Sequence, residues 1–363
     1  MSELYIGIMS GTSLDGVDAI LADARGGRLR RLRSIHLPYS STLRSRLLAL
    51  QESGHDELHR AAFLANELSD LYAGAVRRVL ARAGVTARAV AAIGCHGQTV
   101  RHRPAEGYTL QLINGARLAE RCGIIVVCDF RSRDVAAGGE GAPLVPAFHQ
   151  AVFRAARRSR AVVNVGGIAN VTSLPARGRV TGFDSGPGNC LLDSWIREHR
   201  GKPHDRDGRW AASGRVIPRL LTKMLAHPYF RRRPPKSTGR DEFDMKWLKR
   251  QLAGNERAAD VQATLVELTA LTVARAVQRY SPGAREVFVC GGGARNRFLL
   301  ARLTALLPRA RVSTTAVLGI EPEHVEALAF VWLARQALLH RAGNLPAVTG
   351  ARGPRVLGAI YPK

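Results

Sequence analysis

The chain has 363 residues, 46% hydrophobic and 23% charged, an ordinary composition for a globular protein with a sizeable core and, by length, about two domains. Its formal charge is +25, but Arg outnumbers Lys 48 to six and is dispersed, with no aromatic-interleaved basic patch; a nucleic-acid partner is therefore not expected, while small anionic substrates would gain from the positive field. No apolar run reaches about 18 residues and no basic-then-apolar leader opens the chain, so neither a membrane helix nor an export signal is expected, and the expected location is cytoplasmic.

The opening stretch organises the rest. Leu4–Met9 is apolar and partly β-branched, residues 10–16 hold two glycines, three hydroxyl residues and Asp15, and residues 17–22 are apolar again. The pattern predicts two strands joined by a turn whose backbone N–H groups converge, a way to grip phosphate. It is neither G-x-x-x-x-G-K-[ST] nor G-x-G-x-x-G. Alone it reads better as an ordinary hairpin with a polar tip; two further glycine clusters raise the phosphate reading.

A third strand is expected at 30–37, a helix at 43–50, and a long amphipathic helix or helix pair at 57–83, with Leu58, Ala62, Leu64, Leu68, Leu71, Ala75 and Val79 near helical spacing. His55-Asp56-Glu57-Leu58-His59 is not H-E-x-x-H, because Asp follows the first His; it reads as a solvated helix start. A short strand at 90–94 runs into Cys95-His96-Gly97-Gln98-Thr99. Polar groups gather there at the carboxyl end of a strand, where open α/β sheets place ligands. A lone His is more often structural, yet in this company His96 is a candidate for contacting a hydroxylated ligand. Strands follow at 109–112 and 124–129, with a helix at 115–122. Residues 130–146 are rich in Gly and Pro and carry Arg131 and Asp134 just after Asp129. They read as a substrate loop more than a solvated linker, with a domain boundary nearby.

Residues 161–174 repeat the opening grammar: a strand at 161–165, a small-residue turn at 166–170, and a return to 174. Two such hairpins predict a duplicated domain with ligand held between the copies. A strand at 180–183 ends on Asp184, followed by Gly186-Pro187-Gly188 and a helix from 190 to 199. Asp184 could merely cap a turn, but the tight Gly-Pro-Gly wall favours a general base. Residues 201–214 read as a loop and 216–226 as a helix. Pro234-Pro235-Lys236-Ser237-Thr238-Gly239-Arg240 stands evenly between a solvated loop and a ligand-reaching one. A core helix is expected at 258–280, then a strand at 286–290, Gly291-Gly292-Gly293, a helix from near Arg297 and a strand at 312–315. Three glycines between strand and helix allow close approach to a flat or anionic ligand. Pro322 suits a first helical position, and Glu326 lies one turn in, where the helix dipole favours it anyway. A closing strand is expected at 356–361. The five cysteines (Cys95, Cys122, Cys128, Cys190, Cys290) form no C-x-x-C, which speaks for reduced thiols and against a zinc or disulfide framework.

Three glycine turns in this order, each after a strand, resemble the actin-like and sugar-kinase superfamily. The implied fold is α/β and two-lobed (ribonuclease H-like), with duplicated domains and an interdomain cleft. The ordered stretches MSGTSLDGVD, GCHGQT, DFRSRDVAAGGEGAPLVPAFH, NVGGIANVT, GFDSGPGN, PPKSTGR, CGGGARN and EPEHVEALAF resemble the anhydro-N-acetylmuramic acid kinase family over nearly the whole chain. Glu140 departs from the Gln expected there and adds a carboxylate to the substrate loop; Ser185 replaces Thr conservatively. The resemblance implies an N-terminal lobe of 1–130, completed by 346–363, and a C-terminal lobe of 131–345. It implies that 1,6-anhydro-N-acetylmuramic acid, ATP and water give N-acetylmuramic acid 6-phosphate and ADP in peptidoglycan recycling, with Mg²⁺ as cofactor and a homodimer as the assembly. Asp184 would be the general base. Gly11, Thr12, Ser13, Leu14, Asp15, Gly16, Val17 and Asp18 would cradle the ATP phosphates, with Gly166, Gly167 and Asn170 as the second phosphate turn and Gly291, Gly292 and Gly293 beside adenosine. Thr99, Arg131 and Glu326 would contact the sugar. No metal ligand is assigned. An ordinary sugar kinase of the same superfamily and a non-catalytic nucleotide- or sugar-binding regulator are the rival readings.

Overall fold

The computed structural model describes residues 3–11, 14–239 and 242–363; Thr12, Ser13 and Arg240 of the motifs above lie outside them. The chain forms strands β1 (Leu4–Met9), β2 (Gly16–Asp23), β3 (Arg30–Pro38), β4 (Val90–Cys95), β5 (Gln98–Arg103), β6 (Tyr108–Leu112), β7 (Val126–Cys128), β8 (Arg160–Val165), β9 (Ile168–Leu174), β10 (Thr181–Pro187), β11 (Glu286–Cys290), β12 (Arg311–Thr314) and β13 (Ala359–Tyr361), of which β1, β7, β8 and β11 are the apolar, β-branched runs. The chain divides into two units, Met1–Phe148 with Glu326–Lys363, and His149–Val325.

The first unit is built on a sheet in the order β13-β7-β4-β1-β2-β3. β1, β2 and β3 form an antiparallel meander, β4 and β7 run parallel to β1, and β13 closes the edge antiparallel to β7. The period seen in 57–83 becomes one helix, Glu57–Ala83, which buries Leu64, Leu68, Tyr72, Val76 and Val79. It packs on β2 and β3 and ends at Gly84, whose φ of 64° lets the chain leave the helix left-handed. The second unit repeats the plan in the order β10-β9-β8-β11-β12, with β8, β9 and β10 as the meander and β11 and β12 parallel to β8. Its central helix, Ala258–Tyr280, is buried along most of its length, as an apolar stripe this broad requires. The fold is thus mixed α/β, with the same meander-plus-parallel-strands sheet in each unit.

Several expectations change. The limits expected at 130 and 345 fall instead at 148 and 325. One cause is Asp134, fully buried, which accepts hydrogen bonds from Asn344 Nδ2 (2.7 Å), the Thr349 hydroxyl (2.8 Å) and the Gly141 N–H (2.9 Å). These bonds tie the 131–141 segment to the C-terminal region. A second is helix Val325–Leu338, whose backbone at Ala327 and Phe330 lies directly against Gly7 of β1 and its register partner Gly94 of β4. The second glycine turn contains only Gly166 and Gly167, so Asn170 lies inside β9. Of residues 124–129 only Val126–Cys128 pairs as strand. Residues 201–214 are more than a loop: they include helix Arg209–Ala212, with Trp210 buried and Asp205 accepting from the N–H groups of Trp210 and Ala211. No helix among the described residues is long and apolar enough to cross a membrane.

Candidate active site

In the first unit the antiparallel register of β1 and β2 runs from Leu4↔Asp23 to Met9↔Asp18. The Leu14 N–H donates to the Gly11 carbonyl at 3.3 Å, and Leu14 holds a φ of 55° with its side chain buried. Asp15 is exposed. Gly16, Val17 and Asp18 already belong to β2, opposite Pro38, Leu37 and His36. Val17 is wholly buried, so only its backbone can face a ligand, and Asp18 meets His36 Nδ1 at 2.9 Å.

The Cys95–Thr99 motif braces this hairpin from behind. His96 Nδ1 lies 3.1 Å from the Ser10 carbonyl, and Gln98 Nε2 donates to the Gly11 carbonyl at 3.2 Å. The Ser10 hydroxyl bonds Gln98 Oε1 and sits 2.5 Å from the Tyr39 hydroxyl, which in turn is 3.2 Å from that of Tyr72. Burial pushes the Tyr39 phenol up to about 12, keeping it protonated. Arg131 reaches the same motif, donating to His96 Nε2 from Nη2 (3.0 Å) and Nε (3.3 Å) and to the Gly141 carbonyl from Nη1 (2.8 Å). Thr99 follows Gln98 on β5 and is partly exposed, and Glu326 lies in the first turn of helix Val325–Leu338. Arg131 is thus hydrogen-bonded to the hairpin's own brace, of which Thr99 is itself a part.

In the second unit Asp184, Asn170, Asn164 and Cys290 are register partners across β10, β9, β8 and β11, so they form one row with side chains on a common face. Just beyond it come Gly166, Gly167 and Gly291. Helix Asn189–Arg200 begins against the glycine turn: Gly166 O accepts from the Asn189 N–H (2.8 Å), and Gly167 O from those of Gly188 (2.9 Å) and Cys190 (3.0 Å). The helix's first donors are therefore satisfied by the turn's carbonyls. Because a peptide's N–H points opposite its C=O, the N–H groups of Gly167 and Ile168 are turned away from that helix. Asn170 Oδ1 is buried and makes no hydrogen bond among the described residues. Gly291 has a φ of 76°, and a side chain there would run into Asn164 and Val165, as one at Gly293 would into Val165, whereas Gly292 is exposed and a Cβ there would meet Asn189 Nδ2 only at 3.6 Å. Gly291 and Gly293 thus serve packing first, and Gly292 is the one with an open approach.

Asp184 is 7% exposed and sits in the middle of β10, at a bulge in its pairing with β9, not at a strand end beside the helix as expected. Residues of the Pro234–Thr238 stretch surround it. The Asp184 N–H donates to the Lys236 carbonyl (3.3 Å), the Thr238 N–H to Asp184 Oδ2 (3.1 Å), and the Tyr229 hydroxyl to the Asp184 carbonyl (2.6 Å). The Lys236 ammonium donates to the Tyr229 carbonyl at 3.2 Å and lies 4.3 Å from that ring's centre. Burial, then the nearby Arg232, lowers Lys236 to about 8, against an upward pull from Asp184 and Glu242. Tyr229, Lys236 and Thr238 were not legible as one site: Lys236 and Thr238 were signalled only by a rigid, polar, basic stretch, and Tyr229 by nothing in the sequence. Among the described residues no group of three His, Cys, Asp or Glu side chains could hold a metal by itself.

A family model described as anhydro-N-acetylmuramic acid kinase matches residues 3–363. The anhydro-N-acetylmuramic acid kinase of Nitrosomonas europaea is 54% identical over 360 residues, 99% of this chain and 99% of its own. That of Nitrosospira multiformis is 55% identical over 360 residues, 99% of this chain and 98% of its own. Among solved structures, component A of the (R)-2-hydroxyglutaryl-CoA dehydratase of Acidaminococcus fermentans aligns with a TM-score of 0.50 at 13% identity, covering 91% of this chain and 97% of that one. At that identity the likeness is one of fold alone.

Proposed function

The chain belongs to the anhydro-N-acetylmuramic acid kinase family, and from that premise we propose how its residues divide the work. The protein is a kinase that takes 1,6-anhydro-N-acetylmuramic acid, ATP and water to N-acetylmuramic acid 6-phosphate and ADP. The anhydro bridge occupies the oxygen that must accept phosphate, so ring opening and phosphoryl transfer are coupled. Asp184 takes a proton from water as the water oxygen bonds the anomeric carbon. The bond from that carbon to O6 breaks, and O6 bonds the γ-phosphorus as the bond to the β-phosphate oxygen breaks. The proton leaves Asp184 for solvent.

The observation that carries the base assignment is the setting of Asp184: a buried carboxylate, oriented by the Thr238 N–H, in a sheet row with Asn170. A base so held contributes about 10²–10⁴-fold. The residues 11–18 and the Gly166–Gly167 turn, with Asn170, are assigned to phosphate, Gly291–Gly293 to the adenosine side, and Thr99, Arg131 and Glu326 to the sugar. Mg²⁺ would neutralise charge developing on the transferred phosphate. It binds chiefly through phosphate oxygens with one or two carboxylates, so a site without three acidic ligands fits it, and exposed Asp15 is the hairpin carboxylate assigned to it. A homodimer belongs to the same proposal and would show in solution as twice the 39.4 kDa chain.

The test is ADP release with Mg-ATP and the anhydro sugar, beside N-acetylmuramic acid and N-acetylglucosamine, for the wild type and Asp184→Asn. Turnover with the anhydro sugar alone, reduced about 10²–10⁴-fold in the variant, supports the assignment. Turnover with reducing sugars alone points to an ordinary sugar kinase, and binding without turnover to a regulator.

A further inference from the structure

His96 was expected to meet a hydroxylated ligand, but both its ring nitrogens are engaged by protein. The residue is 4% exposed, and its ring lies against Phe330 at 4.9 Å between centroids. Nδ1 is 3.1 Å from the Ser10 carbonyl oxygen. A carbonyl only accepts, so Nδ1 carries the proton. Nε2 is 3.0 and 3.3 Å from two nitrogens of the Arg131 guanidinium, which only donates, so Nε2 presents its lone pair. The two ends agree on a single neutral tautomer. Desolvation, reinforced by the Arg131 charge, lowers His96 to about 3, so protonation does not compete with that tautomer near neutral pH.

The consequence is mechanical. The Ser10 carbonyl and the Gly11 N–H share one planar peptide and point in opposite directions. Holding the carbonyl therefore aims the N–H of the first glycine of the turn away from the ring. At its other end the same ring holds a guanidinium already fixed by the Gly141 carbonyl at 2.8 Å. We propose that His96 is a positioning residue that couples the hairpin's hold on the ATP phosphates to the placement of Arg131 against the sugar. It rests on the phosphate and sugar assignments above. A shift of the hairpin carbonyl on phosphate binding tilts the ring and moves the guanidinium, and sugar binding at Arg131 acts back on the hairpin by the same route.

Two variants separate the arms. In His96→Asn the amide nitrogen takes the place of Nδ1, keeping the Ser10 contact and losing Arg131. In His96→Gln the amide oxygen reaches the place of Nε2, keeping Arg131 and losing Ser10. Initial rates are measured on the full-length protein with Mg-ATP and 1,6-anhydro-N-acetylmuramic acid both varied, alongside thermal melts. A hydrogen bond to a charged group is worth about tenfold or more. His96→Asn should therefore raise the sugar KM by about tenfold or more and leave the ATP KM within about twofold, whereas His96→Gln, which loses a bond between neutral groups, should raise the ATP KM by about threefold to tenfold and leave the sugar KM within about twofold. Adding His96→Asn to Arg131→Ala should raise the sugar KM no further. Parallel rises in both constants, or full additivity on Arg131→Ala, would overturn the proposal and leave a structural ring. A raised sugar KM in Arg131→Ala with an unchanged one in His96→Asn overturns it alone. An unchanged sugar KM in Arg131→Ala removes the underlying assignment as well. If the melts show that His96→Asn does not fold, His96→Gln and its ATP KM decide the question.

Discussion

The carboxylate of Asp184 lies near a cation that is itself costly to bury. Lys236 is held by the Tyr229 carbonyl and ring and lies within electrostatic reach of Asp184. A positive charge favours the ionised form of a neighbouring carboxylate. Lys236→Met keeps the length and apolar contacts and removes the charge. The acid limb of its kcat/KM profile should move to higher pH, while the melting temperature stays close to that of the wild type. An unmoved limb would show that the ammonium acts only in packing. Asp184 was legible from sequence as a polar residue set against glycines, whereas Lys236 was not, because nothing in a Pro-Pro-Lys stretch says which residue it will fold beside. His96 carries the opposite lesson. Its type and neighbours suggested a ligand contact, and only its hydrogen bonds to Ser10 and from Arg131 reveal a brace.

At the scale of elements, glycines decide what can come close. Gly7 and Gly94 are register partners on β1 and β4, and each would drive a side chain into the backbone of helix Val325–Leu338. That contact sets the height of the helix over the sheet, and so of Glu326 in its first turn. Gly94→Ala should lift the helix and cost about 1–3 kcal/mol of stability, read as a lowered melting temperature together with a raised sugar KM. A stable variant with an altered KM would separate helix placement from folding; an unchanged protein would mean that the helix shifts without consequence. In sequence Gly94 is one small residue in an apolar strand, and its role appears only once the helix is laid across it. The long helices were readable because their apolar period is local. The Arg209–Ala212 turn was not, since it is fixed by Asp205 and by burial of Trp210 rather than by any period of its own.

Across the whole molecule, two histidines are buried in neutral form, one in each unit. His96 and His149 are both lowered to about 3 by burial, against an ordinary value near 6.5 in the unfolded chain. Between those values the unfolded chain binds more protons than the folded one, so stability rises with pH there. Their contribution is complete above about pH 6.5 and is lost on acidification towards pH 3, at up to about 1.4 kcal/mol per pH unit for each. Melting temperatures should therefore fall steadily from pH 7 to pH 4, and His149→Gln should flatten the slope; an equal slope in that variant would assign the acid sensitivity to other groups. At this same scale the sequence by itself determined the family, the α/β class and the duplicated hairpins. Those are carried by local periodicity and by motifs of adjacent residues. Tertiary structure alone decided where the chain passes between units, which glycines serve packing, and which side chains surround Asp184 and Arg131. Such contacts join residues far apart in the chain, such as Asp134 with Asn344 and Thr349, and their partners are set by burial and hydrogen-bond satisfaction in the folded state.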